Sequence, residues 1–150
     1  MNRSVSAMSQ GNLRLEAEML KVHEECLEYG DDSLEYCAGV AFTGVAVNVV
    51  DGGITEHEYK DGLKDGESRA WYPSGVLRQR YKCRNGGHHG FYEEFYPDGG
   101  LKASGFYEYG IKVSMLEFDL TGRVSSQFVI GPGGQDWEML LANRQKFGRW

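Results

Sequence analysis

Two stretches of the chain, "DGLKDGESRAWYPSG" (Asp61–Gly75) and "NGGHHGFYEEFYPDG" (Asn85–Gly99), carry the same glycine and aromatic pattern 24 residues apart. Similarity at a fixed short period is the mark of stacked supersecondary units, each burying itself against its neighbours. Gly66, Trp71, Tyr72 and Gly75 fall on Gly90, Phe95, Tyr96 and Gly99, while Tyr59 is aligned with Tyr81 at a spacing of 22. A weaker third copy contains Tyr107, Gly110 and "FDLTG" (Phe118–Gly122). A fourth, earlier and degenerate, is "FTGVAVNVVDGG", in which Gly44 and Gly52 take the two glycine places and valines replace the aromatics.

Each copy reads as a β-hairpin with a strand after the second glycine, a "PSG" or "PDG" turn, and a return strand such as "VLRQRYK". In "GFYEEFY" alternation puts Tyr92, Glu94 and Tyr96 on one face and Phe91, Glu93 and Phe95 on the other. The expected fold is therefore mainly β: an elongated, twisted antiparallel meander of hairpins with a short C-terminal helix. Residues 1–11 read as a flexible segment, 12–130 as the repeat domain and 131–150 as a turn with a capping helix. In "QDWEMLLANRQKFG" Asp136 is placed to cap, Trp137, Leu140 and Leu141 make an apolar stripe, and Arg144 and Lys146 sit in the last turn. "LRLEAEM" fits strand alternation as well as helical spacing, with strand preferred, and "ECLEY" and "SLEYC" flank "GDD" as a first hairpin.

The chain has 22 acidic and 16 basic residues, a formal charge of −6, which disfavours phosphate backbones and anionic lipid surfaces. The acid is concentrated in Met1–Tyr36, where eight acidic residues face three basic ones. Such an imbalance suits a basic partner, or simply a solvated acidic face. Cys26, Cys37 and Cys83 are odd in number and lack C-x-x-C spacing, and the start has no apolar stretch resembling a signal peptide. A reduced, cytoplasmic protein without a membrane span is expected.

No chemistry stands out. His88 and His89 near Cys83 and His57 lack the spacing of a zinc site, and "NGGHHG" reads as a solvated turn. Glu93 and Glu94 are strand neighbours facing opposite sides, so they do not make a facing acid and base pair. No nucleophile motif accompanies the serines, and "GPGGQDW" lacks the lysine and hydroxyl of a P-loop. No catalytic residue, cofactor or metal is assigned.

The pattern Y-x-x-G-x-x-x-G-x-x-x-x-aromatic-Tyr-x-x-G, seen here as "YKDGLKDGESRAWYPSG", resembles the bacterial variant of the MORN repeat, a family of antitoxins in toxin–antitoxin systems. The likeness covers roughly Leu27–Gln127 and departs from the pattern at Ser114, where the second glycine belongs. It implies an antitoxin or immunity protein, not an enzyme, that binds a cognate toxin domain and blocks its active site or substrate path. An acidic inhibitor suits a toxin with a basic cleft. Since tyrosine and tryptophan dominate interface energies, Trp71, Tyr72, Glu94 and Tyr96 are the expected contacts, with Asp31 and Asp32 as a second patch. A scaffold module with no toxin partner, using the same surface, and a lipid-binding repeat are the alternatives.

Overall fold

The computed structural model describes residues 19–148. The segment 1–11 and most of the "LRLEAEM" strand expected at 13–19 lie outside these residues. Twelve strands and one α-helix follow in order, with a 3-10 turn at Glu24–Cys26 after the first strand: β1 (Lys21–His23), β2 (Leu27–Tyr29), β3 (Glu35–Cys37), β4 (Val40–Ala41), β5 (Gly44–Val50), β6 (Gly53–Lys60), β7 (Leu63–Trp71), β8 (Leu77–Arg84), β9 (Gly87–Phe95), β10 (Leu101–Glu108), β11 (Ile111–Phe118), β12 (Val124–Val129) and α1 (Gln135–Phe147). From β5 to β12 every strand pairs antiparallel with the next, a meander that β1 extends by pairing parallel to β5, nine strands in all. The hairpin expected from "ECLEY" and "SLEYC" is β2–β3, which with β4 makes a separate three-stranded sheet.

The 24-residue period is kept to the residue: β6, β8 and β10 start at 53, 77 and 101, and β7, β9 and β11 at 63, 87 and 111. Two kinds of turn alternate. Asp61–Gly62, Asn85–Gly86 and Tyr109–Gly110 each hold both residues at positive φ, the type I′ geometry whose twist matches that of the strands. At the other strand ends, Tyr72–Val76, Tyr96–Gly100 and Asp119–Arg123 close by reciprocal backbone bonds, such as Tyr72 N–H to Val76 O at 2.9 Å and Gly75 N–H to Tyr72 O at 2.9 Å. This register corrects two alignments. The position equivalent to Tyr59 is Cys83, not Tyr81, because no turn between them is longer than its counterpart. Gly44 matches Gly66, and Gly52 belongs to a two-residue hairpin turn that replaces the five-residue turn of later copies.

The second glycine lies inside the strand rather than before it at Gly66 in β7 and Gly90 in β9, while Gly44 opens β5. Gly44, Gly66 and Gly90 pair opposite or beside Tyr59, Cys83 and Tyr107, at φ of 154°, 119° and 117°. At Gly66 and Gly90 the strand bulges, so that one residue of the partner faces more than one here. A Cβ on Gly66 would stand 2.1 Å from Glu58 Oε2 and 2.9 Å from Glu58 Cβ. Where Ser114 takes this place the register slips by a single residue, between Phe106 and Tyr107.

The apolar core sits at the N-terminal end, where Phe42, Ala46 and Tyr59 are buried beneath Val22, Leu27 and Cys37. Here the small sheet, rather than the helix, covers the main one, and Glu35 N–H donates to Gly62 O at 2.9 Å. Helix α1 lies by the Tyr109–Gly110 turn. Leu140 is fully buried, Arg144 makes a two-pronged ion pair with Glu108 (2.8 and 2.5 Å), and the Phe147 ring lies 5.8 Å from Tyr109. The capping residue is Gly134, not Asp136, which falls in the first turn and acts there only as a favourable charge. Leu141 is exposed, because the buried stripe runs through Trp137, Leu140 and Arg144 at the three- and four-residue spacing of one helix face.

Replacing Gly66 with alanine adds a clash to the strain of a positive φ, whereas Gly99 (φ 89°) has open space around it. Gly99→Ala is expected to lose about 1–2 kcal/mol, and Gly66→Ala distinctly more, measured as unfolding free energies in urea. Equal losses would show that the close approach at the bulge contributes nothing.

Candidate functional site

Directly opposed residues of an antiparallel sheet share a face, so the register names each face row by row. One row crosses the entire main sheet: Val22, Ala46, His57, Ser68, Tyr81, Tyr92, Gly105, Met115 and Phe128. Small residues next to rings let the rings lie down over the sheet, and Ala46, Ser68, Ala70, Ala103 and Met115 are all buried on this side. At its centre Tyr81, His88, Tyr92 and Tyr107 form one cluster. Tyr81 and His88 are 4.5 Å apart, His88 and Tyr107 meet edge to face at 5.2 Å, and Tyr92 and Tyr107 stand at 5.8 Å.

Polar groups continue from the rings. Gln79 Nε2 donates to the Tyr92 hydroxyl (2.8 Å), which reaches Glu94 (3.3 Å), and Lys102 Nζ pairs with Glu94 at 2.6 Å while lying 6.0 Å from the Tyr96 ring. Burial is the main reason that the Tyr92 hydroxyl holds its proton more tightly than usual. Rings half-covered and half-open beside a paired carboxylate and ammonium are the composition of a protein-binding surface.

The opposite face carries charge. Its central row is Val47, Glu56, Arg69, Arg80, Glu93, Ser104, Leu116 and Gln127. Arg69 and Arg80 stand directly opposite one another, tolerated because each has its own carboxylate: Glu67 for Arg69 (2.9 and 3.0 Å) and Glu93 for Arg80 (2.5 Å). Lys21 pairs with Glu56 further along. Exposed pairs of this kind contribute little to stability and mainly keep the face wet.

The expected contact residues divide among these surfaces. Trp71 lies on the charged face, opposite Ile54, and Glu94 on the ring face beside Tyr92. Tyr72 and Tyr96 stand at the start of the five-residue turns, where their hydroxyls donate to Phe95 O (2.9 Å) and Phe118 O (2.8 Å) of the following copy. They therefore fasten one repeat to the next. Asp31 and Asp32 are exposed in the β2–β3 turn, on the small sheet that meets the type I′ turn at Gly62 and so away from the other four. The Tyr36 hydroxyl donates to Asp32 at 2.6 Å, and this bond is the first cause of its lowered pKa. Tyr81, His88 and Tyr107 are not among the contacts expected from the sequence. Alternation in "VLRQRYK" already separates Leu77, Gln79 and Tyr81 from Arg78, Arg80 and Lys82, but only the register places Tyr81 opposite Tyr92.

His88 and His89 lie in β9, not in the turn, which is confined to Asn85–Gly86. His89 is buried, with Nδ1 accepting from Tyr109 N–H at 3.0 Å, and burial lowers the pKa of both histidines. His57 Nδ1 lies 3.0 Å from Ser68 Oγ, a contact suggestive of nucleophilic chemistry. Ser68 is only 1% exposed within a continuous strand, so no substrate carbonyl can reach it, and the pair fills buried hydrogen-bonding capacity. Burial also raises the Cys83 thiol pKa, which makes that sulfur inert. Among the described residues no cluster of three or more His, Cys, Asp or Glu side chains is placed to hold a metal ion, and no helix is long and apolar enough to cross a membrane. Set against known proteins, the chain matches no family model and no curated sequence.

Burial, then Lys64, pushes the His57 pKa from 6.5 down to about 4. The unfolded chain therefore takes up its proton first, so stability is full above pH 6.5 and falls as the pH drops towards 4. Urea titrations from pH 7 to 4.5 are expected to show a loss on the order of 2 kcal/mol from this site, reduced in His57→Gln. A loss unchanged in the variant would assign the effect to other groups.

Proposed function

We propose that this chain is an antitoxin or immunity protein of the cytoplasm, which binds a cognate toxin domain and covers its active site or substrate path without catalysing a reaction itself. The observation that carries the reading is the ring face: Tyr81, His88, Tyr92 and Tyr107, with Glu94 and Lys102 at their margin, set by backbone register on a multi-stranded sheet. Such rings lose little conformational freedom on binding, which favours tight association over a modest area. The likeness of the repeat to bacterial MORN variants supports the word antitoxin, and the three free cysteines suit a reducing compartment. Glu94 and Tyr96 extend the contact surface towards the five-residue turns, with Tyr72 at that edge, while Trp71 offers a contact on the opposite, charged face. Asp31 and Asp32, at the opposite ends of the strands, supply a second, acidic contact that steers a toxin with a basic cleft into place.

The test is co-expression with the product of the adjacent gene. The neighbour alone is expected to arrest growth, and this chain to restore growth and co-purify with it. Tyr92→Ala with Tyr107→Ala is expected to weaken the complex at least 10-fold, about 1.4 kcal/mol, and Asp31→Lys with Asp32→Lys to slow association in low salt. A neighbour that arrests growth, yet is neither neutralised nor bound by this chain, would overturn the proposal.

A further inference from the structure

Just after the five-residue turns the returning strand bulges, and the bulged residue is a cation in two successive copies. Between β7 and β8 the pairing passes from Ala70 opposite Gln79 to Trp71 opposite Leu77, which leaves Arg78 as the extra residue. Between β9 and β10 it passes from Glu94 opposite Ala103 to Phe95 opposite Leu101, which leaves Lys102. A bulge re-aims the side chain it carries. Lys102 is turned onto the ring face, where its ammonium pairs with Glu94 at 2.6 Å and lies 6.0 Å from the Tyr96 ring. One repeat earlier Arg78 holds the place of Lys102, Tyr72 that of Tyr96, and Ala70 that of Glu94. The cation is kept and its carboxylate is missing.

A hollow of about 360 Å³ lies at this place, lined by Asn48, Thr55, Tyr72, Pro73 and Arg78, with Asp51 of the β5–β6 turn also on its wall. Asn48 and Thr55 stand directly opposite each other in the row that continues through Ala70 and Gln79 to Glu94. Both are half-buried, and among the described residues neither side chain makes a hydrogen bond. Arg78 is exposed and makes no ion pair there, with Asp51 or any other carboxylate. We infer that this hollow is a carboxylate-binding subsite, in which an aspartate or glutamate side chain of a bound protein stands beside Arg78 as Glu94 stands beside Lys102. The inference rests on the ring face being the surface on which a partner docks, and adds the chemistry that the partner brings to its margin.

A guanidinium presents its N–H groups as a planar fork that bonds both oxygens of a carboxylate at once. The Asn48 amide and the Thr55 hydroxyl add donors beside it, and the Tyr72 ring and Pro73 offer an apolar wall to the methylenes of the incoming side chain. Asp51 sets the charge of the ligand. With one acid already on the wall, a group carrying a single negative charge is favoured over a dianion, so a carboxylate suits the hollow better than a phosphate. Glu94 shows the same chemistry satisfied within the chain one repeat later. On a protein of charge −6, an arginine left without a carboxylate at the margin of the docking face fixes orientation, since a partner turned to bring a base against it is repelled.

An NMR titration of the full chain with propionate, the glutamate side chain in isolation, tests the subsite without any toxin. At constant ionic strength the Arg78 Nε–H and the Asn48 side-chain amide are expected to shift together and saturate. Propionamide, the neutral isostere, is expected to leave them in place, Arg78→Gln to abolish the response, and Asp51→Asn to tighten it. In the complex with the product of the adjacent gene, Arg78→Gln is expected to weaken binding at least 10-fold. Ala70→Glu supplies the missing carboxylate from within and is expected to weaken it likewise with an unchanged circular dichroism spectrum; should it unfold, Arg78→Glu takes its place. No saturable shift with propionate, an equal response to propionamide or in Arg78→Gln, tighter binding of inorganic phosphate than of propionate, or a complex indifferent to Arg78→Gln would each overturn the inference. A neighbour that is not bound at all overturns the proposed function instead, and the propionate titration then decides the subsite by itself.

Discussion

Everything in this molecule rests on how one hairpin is fastened to the next. At the type I′ turns the N–H of Gly86 and Gly110 donates to the carbonyl of Lys64 and His88, each 22 residues earlier. At the five-residue turns the hydroxyls of Tyr72 and Tyr96 donate to Phe95 O and Phe118 O of the following copy. Between these two rows the bulges at Gly66 and Gly90 absorb surplus chain at the same place in each repeat. A sheet slipped by one residue would turn every side chain to the wrong face. Fastening both ends of the strands excludes that slip without a large core, and the described core is thin: Phe42, Ala46 and Tyr59 cluster at one end, small or slender residues such as Ala70, Cys83 and Ala103 are buried along the sheet, and Leu140 is buried on the inner side of the helix.

With register secured, the two faces are free to differ. Small residues and rings alternate along one of them, so that Ser68, Ala70 and Ala103 are covered while Tyr81, Tyr92 and Tyr107 keep part of their surface open. The other face sets Arg69 and Arg80 side by side and neutralises each with its own glutamate. Burial therefore falls on one side and solvation on the other, as in antiparallel sheets generally. The ends differ as well: at one the short β1 pairs parallel to β5, and at the other, among the described residues, no strand follows β12.

The repeat, the meander and the terminal helix were legible because each is written in local chemistry: glycine for positive φ, alternation for strands, and a polar turn ahead of an apolar stripe. The same reasoning put Glu93 and Glu94 on opposite faces. Likeness of side chains pairs Tyr59 with Tyr81, whereas the strands match by position and place Cys83 there. His88 and His89 belong to β9 although "NGGHHG" reads as a turn, since nothing in that stretch says that the turn ends at Gly86. Tyr72 and Tyr96 were selected as aromatic surface, and their hydroxyls turn out to join repeats, a role that depends on a carbonyl more than 20 residues away.

The order of elements along this chain, the spacing of its turns and the alternation of its side chains were thus set by the sequence alone, because all three depend on residues within one hairpin of each other. Which rings meet, which charges face each other and which tyrosines are spent on fastening were decided only by the tertiary structure. Those depend on register and on bulges that shift it, and register is a relation between distant strands that no local stretch contains.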